Sequence, residues 1–466
     1  MPGSAAERAA AEGIKAALLD ADIDFQILDY ASVNIFDQSI PYSRSQVIYV
    51  PPDNADMQNF VTLALPLDQP DADLFPNLTA GLHMALEWIL SVEERNFAVA
   101  FLGGEFYPNM QWGSHALAGS GLVSSSSPVI YLAIFDAASA PEIVSGSHGR
   151  ISPRQLLIRL ADSFSAHQVK PVFPGLKTTS YRLNRNTSLN LIGELMSQNI
   201  PAIGIEIGTP QPARAGEPNL PADIGLYGYK RPTAAQSIHH NLAEEIQESL
   251  YSAISEPLDV TIWEELYSTI PWLGGDSIII PESSYLLMIL GIISFGFILA
   301  AQKRKLFRRY LHTVTRHSWL LAFVFLLLFS ALILSTWVLN LILEIRDFPG
   351  LWEHYTVSFV VTKAVVGFLL SLILIRLFNR LPHIPHGRFY SAAAVVSSFI
   401  SLIVLSSITL AYTYIFLISF LCTIAFSVSR RVRTKSLFLI LSPLSLLLPL
   451  TGAIQAQDLR LIYYSL

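Results

Sequence analysis

Hydrophobic positions fall into two patterns along this 466-residue chain, and the change comes near residue 282. Ahead of it, short apolar runs alternate with stretches of helical spacing. Residues 5–21 are Ala-rich and broken only by Gly13, which predicts a helix. Residues 25–30, 46–50 and 60–65 are short runs of β type bounded by turn residues. Residues 77–90 have apolar positions at helical spacing, whereas 97–102 and 128–135 are apolar throughout, as strands buried on both faces should be. Helices over 153–163 and 189–197, a strand over 200–207 and a helix over 234–254 complete the alternation. It predicts an α/β sandwich around a mostly parallel central sheet, spanning residues 1–282. Sites in such sheets gather at the carboxyl ends of strands. Here those ends bring Asp68, Glu105 and Asp136, with a later loop leading to His239 and His240.

After residue 282 the apolar runs lengthen to the ~20 residues that a bilayer crossing needs. They cover 285–301, 319–343, 356–378 and 436–454, with a further 38-residue run over 391–428. As one helix that run would extend ~57 Å, about twice the ~30 Å hydrocarbon core, so it should fold into a hairpin near 406–413. Spans at 391–408 and 410–428 then complete an all-α bundle of six transmembrane helices over residues 283–466.

Charge sharpens this division. Residues 283–466 hold 16 Lys and Arg against 4 Asp and Glu, leaving 14 and 32 for the rest of the chain. The cations cluster in alternate loops: Lys303, Arg304, Lys305, Arg308, Arg309 and Arg316, then Arg376, Arg380 and Arg388, then Arg430, Arg431, Arg433 and Lys435. Only Arg346 and Arg460 lie on the other side. Cytoplasmic loops retain positive charge, which puts the acidic domain and the C-terminus of a multi-pass membrane protein on the non-cytoplasmic side. The first 24 residues have no apolar signal core, so the expectation is a signal or span upstream of this chain. Lys363, inside the third span, either snorkels to the interface or faces a polar cavity. At 52% hydrophobic, 14% charged and a mean hydropathy of +0.45, the composition excludes a disordered chain and a nucleic-acid partner. The one cysteine, Cys422, excludes an intrachain disulfide.

Five short stretches recur in order at the strand ends: ALPLD (64–68), PNLTAG (76–81), FLGGEFYPNMQWGS (101–114), YLAIFD (131–136) and SIHHNL (237–242). Their order resembles the two-zinc aminopeptidase fold, the family that includes glutamate carboxypeptidases and the transferrin receptor ectodomain. The resemblance implies an aminopeptidase-like sandwich, and it implies a role for each matching position. Pro66 stands at the first His ligand, Asp68 keeps an Asp, Asn77 replaces the metal-bridging Asp, and Glu105 matches the general base. Phe106 replaces a ligand Glu, Asp136 matches a ligand Asp, and His239 or His240 the late His. Two metal ions ~3.5–4 Å apart need an anionic bridge and several charged or imidazole ligands. Asp68, Asp136, His239 and His240 are therefore remnants, and no cofactor is expected.

Such degenerate ligands, joined to a C-terminal set of spans, resemble the GPI-anchor attachment subunit of the GPI transamidase; residues 143–164, a Gly-rich turn leading into a helix, carry the same likeness. Relatives of that kind have an N-terminal span and commonly more than six spans, and this chain departs from both. The resemblance implies a scaffold or substrate-presenting subunit with membrane lipid and protein partner subunits. An active membrane-bound zinc peptidase is the alternative, and a transporter-like protein with a sensory ectodomain a second one.

Glu105 is the candidate catalytic residue. Burial at a strand end raises a carboxyl pKa, which suits a general base. The same carboxylate equally suits a cap on the backbone amides of the next helix. His239 and His240 pair with either a metal or a helix start. His83, His115, His148 and His167 lack ligand spacing to one another. No phosphate-binding loop occurs. The cluster at 303–309 fits anionic headgroups as well as a topogenic role, and Asn77 and Asn186 open sequons.

Overall fold

The computed structural model describes residues 5–33, 42–54, 59–68, 75–105, 111–147, 149–173, 192–208, 242–258, 267–271, 277–302, 304–316, 388–408, 413–429 and 431–444, with isolated positions between them. Contacts divide the chain into two compact units, Met1–Leu266 and Tyr267–Leu466.

The first unit is an α/β domain. Its strands are β1 (Gln26–Val33), β2 (Tyr42–Val50), β3 (Thr62–Pro66), β4 (Ala98–Leu102), β5 (Val129–Ile134), β6 (Pro141–Val144), β7 (Gly146–Ser147), β8 (Arg150–Ile151) and β9 (Ala202–Ile207). Its helices are α1 (Ala5–Asp20), α2 (Phe75–Ser91), α3 (Trp112–Gly119), α4 (Arg154–Ala166), α5 (Gly193–Ser197) and α6 (Glu244–Ser255). Seven strands form one sheet in the order β1-β2-β4-β3-β5-β9-β6. The parallel core expected from the apolar runs is the central four, β4-β3-β5-β9. The flanks differ from that expectation, because β2, β1 and β6 all join antiparallel. β1 and β2 are consecutive, with too little chain between them for the crossover that parallel pairing needs.

Both faces of the central strands are covered, which is why those strands are apolar without alternation. On one face Tyr131, Ala133 and Phe135 of β5 join Ala64, Leu102, Leu117 of α3 and Leu195 of α5 in a single cluster. On the other, α2 lies close to the sheet at Gly81. A Cβ added there would come within 2.9 Å of Ile134 and 3.3 Å of Leu65. Trp88 of α2 meets Tyr251 of α6 edge to face at 5.5 Å, and Phe97 meets the same ring at 6.1 Å.

The second unit opens with an antiparallel pair, β10 (Tyr267–Pro271) and β11 (Ser277–Pro281). Helices α7 (Glu282–Gln302), α8 (Arg304–Arg316), α9 (Arg388–Ile408), α10 (Thr413–Val428) and α11 (Val432–Leu444) follow. The long run over 391–428 does break, between Ile408 and Thr413. Leu402 packs with Leu417 and Phe420 across that break, and the Phe399 and Phe420 rings stack at 5.2 Å.

The six-span bundle is not supported. Among the described residues no helix is long and apolar enough to cross a membrane. At 1.5 Å per residue α10 rises ~24 Å and α11 ~20 Å, short of a ~30 Å core. α7 has 21 residues, yet Glu282-Ser283-Ser284 and Gln302 take its ends and leave 285–301, a rise of ~26 Å. α9 opens on Arg388 and carries serines at 391, 397, 398, 401, 406 and 407. Most of the runs at 319–343 and 356–378, and the end of 436–454, lie outside the described residues, as does Lys363. The placement as a multi-pass membrane protein falls with the bundle, and so does the non-cytoplasmic orientation drawn from it.

Candidate functional site

The sheet reverses its winding at β3. The crossover through α2 leads from β3 to β4 on one side, while β5 pairs with β3 on the other. The carboxyl ends of these three strands therefore meet at a switch point, where α/β sheets place their sites. Each end contributes one acid, and the three acids have different environments.

Glu105 follows β4 through Gly103-Gly104, and Gly104 takes the left-handed φ of +64° that the turn requires. The turn carries the side chain inward, so only 3% of the residue is exposed. Its carboxylate accepts three hydrogen bonds. Oε1 accepts from the Ser114 backbone N–H at 2.6 Å, and Oε2 from Ser114 Oγ at 2.8 Å and the Tyr131 hydroxyl at 2.9 Å. Ser114 is the third residue of α3, whose N-cap, Gln111, makes no side-chain cap bond and sits in a left-handed conformation. The Gln111 side chain instead accepts the Glu194 N–H at 2.9 Å. Glu105 thus does for α3 what a capping residue does elsewhere, satisfying an orphan amide at the start of the helix. The approach is so close that a Cβ on Gly113 would come within 2.7 Å of the Gly103 carbonyl and 2.8 Å of Glu105 Oε1.

Asp68, two residues beyond β3, is equally buried, and its Oδ1 accepts the Glu105 N–H at 2.8 Å. The Tyr30 hydroxyl, reaching in from β1, donates to the Gly103 carbonyl. Burial pushes the Glu105 carboxyl from 4.5 up to about 8, and the Asp68 charge pushes the same way. The three donors from Ser114 and Tyr131 pull it down less strongly. Burial, followed by the charges of Glu105, Glu7 and Asp68, raises the Tyr30 hydroxyl far above its ordinary value, so it stays protonated and donates.

Asp136, after β5, does not join this cluster. It is exposed, and its carboxylate closes on its own turn, accepting the Ala138 N–H at 3.1 Å and Ser139 Oγ at 2.7 Å. Pro66 ends β3 and is buried, and Asn77 falls in the first turn of α2. Phe106, His148, Asn186, His239 and His240 lie outside the described residues. Among the other histidines, His83 is exposed, the His115 ring meets Glu194 at 2.6 Å on the surface, and His167 meets Glu248 at 3.0 Å. Of the residues expected at the site, Asp68 and Glu105 are brought together and Asp136 is kept apart. Tyr131, Ser114, Tyr30 and Glu7 complete the cluster unforeseen. Tyr131 stands inside an apolar run, and its place there reads as core.

Among the described residues the donors do not fit a zinc pair. Asp68 already accepts the Glu105 amide, Glu105 already accepts three donors, and Asp136 is tied into its own turn. Pro66 offers no donor atom. Among the described residues no group of three His, Cys, Asp or Glu is placed to hold a metal ion.

Two family models match the chain in order. The first-domain model of the TP_0564 family covers residues 114–217, and its second-domain model covers 318–466. No curated protein matches. Among solved structures, the chain is similar to a Fimbriiglobus ruber glutaminyl cyclase at 11% identity, covering 55% of this chain and 89% of that one with a TM-score of 0.35. A Porphyromonas gingivalis glutaminyl cyclase matches at 11% identity, over 54% and 88% of the two chains, with a TM-score of 0.36. The LapA aminopeptidase of Legionella pneumophila matches at 12%, over 54% of this chain and 64% of that one, with a TM-score of 0.34.

Proposed function

We propose that the α/β domain is an aminopeptidase-like module that has lost its chemistry and serves as a scaffold or substrate-presenting subunit of a protein complex, the role implied by its resemblance to the GPI-anchor attachment subunit. One observation carries the reading. The carboxylate at the general-base position is 3% exposed and has both oxygens engaged by Ser114 and Tyr131. A base must reach a water or substrate proton at hydrogen-bond distance. Glu105 instead spends its acceptors on holding α3 to the sheet.

Purified full-length protein should contain well below one equivalent of zinc, keep its stability in chelator and leave aminoacyl substrates uncleaved. A protein subunit should co-purify with it under mild conditions. Close to two equivalents of zinc, with chelator-sensitive hydrolysis abolished by Glu105→Gln, would overturn the reading in favour of a zinc peptidase. Stable isolation without any partner would overturn the scaffold role alone.

A further inference from the structure

The seven-stranded sheet finishes differently at its two edges. At one, β6 is four residues long and begins on Pro141, and the chain at Val172 runs alongside it. There the Ile143 N–H donates to the Val172 carbonyl at 2.9 Å, and the Val172 N–H to the Pro141 carbonyl at 2.7 Å. At the other edge, β1 is eight residues long (QILDYASV), with no proline, lysine or glycine. Its register with β2 runs without a bulge from Gln26 opposite Tyr49 to Val33 opposite Tyr42. Short length, proline, lysine, a bulge and a covering segment are the usual protections of a sheet edge. β6 has three of them, whereas among the described residues β1 pairs with β2 alone.

Strand alternation fixes what the β1 edge offers. The Gly103 N–H donates to the Gln46 carbonyl at 3.0 Å, so Gln46 turns its backbone groups toward β4. Its neighbours Ser45 and Val47 turn theirs toward β1, where Tyr30 and Leu28 stand opposite them. Ile27, Asp29, Ala31 and Val33 therefore point N–H and C=O away from the sheet. The side chains divide in the same way. Leu28 and Tyr30 pack on the core cluster that includes Leu117 of α3, so Ile27 and Asp29 occupy the opposite face. Ile27 is 42% exposed there, and Asp29 is exposed. A strand added antiparallel sets one side chain directly opposite each of them, where a β-branched residue suits Ile27 and a cation suits Asp29. A second copy of β1 paired about Asp29 sets two acids face to face, which disfavours that occupant.

We propose that β1 takes an extended polypeptide segment of a partner as an added antiparallel strand, with a Lys or Arg opposite Asp29 and a β-branched residue opposite Ile27. This gives the presenting role proposed above its ligand class, and it rests on that reading. The same strand sends the Tyr30 hydroxyl to the Gly103 carbonyl, two residues before Glu105. The added segment lies ~4.8 Å from β1, alongside the strand that reaches into the switch point.

Fluorescence anisotropy of the full-length chain with the end-labelled peptide TVTKTVT tests this, since its lysine can face Asp29 while the following valine faces Ile27. The peptide should bind saturably. N-methylation of the lysine and valines, whose N–H groups then face β1, should abolish binding, whereas N-methylation of the threonines, whose N–H groups face away, should preserve it. TVTETVT should bind about tenfold more weakly. Asp29→Lys should reverse that charge preference. Ala31→Pro removes an outward N–H and spares the β2 ladder, so it should weaken binding about tenfold with circular dichroism unchanged. Absence of saturable binding by TVTKTVT would overturn the proposal, as would equal binding by the two N-methylated peptides or an unreversed preference in Asp29→Lys. A protein subunit that still co-purifies in those cases would leave the presenting reading standing. A dimer of the parent chain that Ala31→Pro disperses would overturn the proposal in favour of a second copy at this edge.

Discussion

Glu105 and Asp136 hold matching positions, each one acid at the carboxyl end of a buried strand of the parallel core. Their fates diverge because of what packs next to them. α3 starts directly over Glu105 and presents an amide, a hydroxyl and, from β5, a phenol, so the side chain is drawn inward and its carboxyl rises to about 8. Asp136 instead accepts from the Ala138 N–H and Ser139 Oγ of its own turn and stays exposed. A strand end thus supplies an acid, and the neighbouring helix decides whether that acid becomes a reactive group, a brace or a turn. In this domain the helix has made Glu105 a brace.

Removing the brace is the most severe way to test that contrast. Glu105→Ala leaves the Ser114 N–H, Ser114 Oγ and Tyr131 hydroxyl buried without their acceptor, and should cost ~3–5 kcal/mol in chemical denaturation. Glu105→Gln keeps the shape and removes the titration. Because the folded carboxyl titrates near 8 instead of 4.5, the folded state holds a proton that the unfolded chain releases. The stability from that proton is full below 4.5 and is lost as pH rises through about 8, at up to ~1.4 kcal/mol per pH unit. Denaturation across this window should fall with pH in the parent protein and run flatter in Glu105→Gln. An equal slope in the two would show that Glu105 is not buried as described. Tyr131→Phe should cost ~1 kcal/mol and move the Glu105 midpoint further up, since it deletes a donor to the charged form. Asp136→Ala should change stability by ~0.5 kcal/mol or less, as exposed substitutions do. A loss comparable to Glu105→Ala would erase the distinction between the two ends.

The central strands were legible because β3, β4, β5 and, apart from Glu206, β9 are largely apolar on both faces, a pattern that helices of ordinary amphipathy do not produce. β6 was not: its sequence PEIV is short and contains a proline and an acid, and edge pairing alone makes it a strand. α3 was equally hidden, since WGSHALAG is rich in small residues and starts at a left-handed Gln111 with no cap signal. In the second unit the break between α9 and α10 follows from length alone. Helix ends were less legible there: α7 (Glu282–Gln302) and α9 (Arg388–Ile408) run past their apolar stretches into polar residues, and α10 (Thr413–Val428) starts inside its own. At the site, Asp68 and Glu105 announced themselves as strand-end acids. Tyr131, Ser114 and Tyr30 did not, because their partners come from other elements and spacing along the chain does not encode the meeting.

The strand order also bears on how the domain assembles in time. β3, α2 and β4 are consecutive and pair as neighbours, so their docking closes a short stretch of chain. β9 must find β5 across residues 135–201, with β6, α4 and α5 threaded between them, before β6 can cap the sheet. Closing a longer loop costs more entropy before any contact repays it, and non-local parallel pairing is slow. The half of the sheet that carries the Glu105 brace is thus positioned to form early, leaving the open edge of β5 as the segment that a chaperone, or another unfinished chain, meets first.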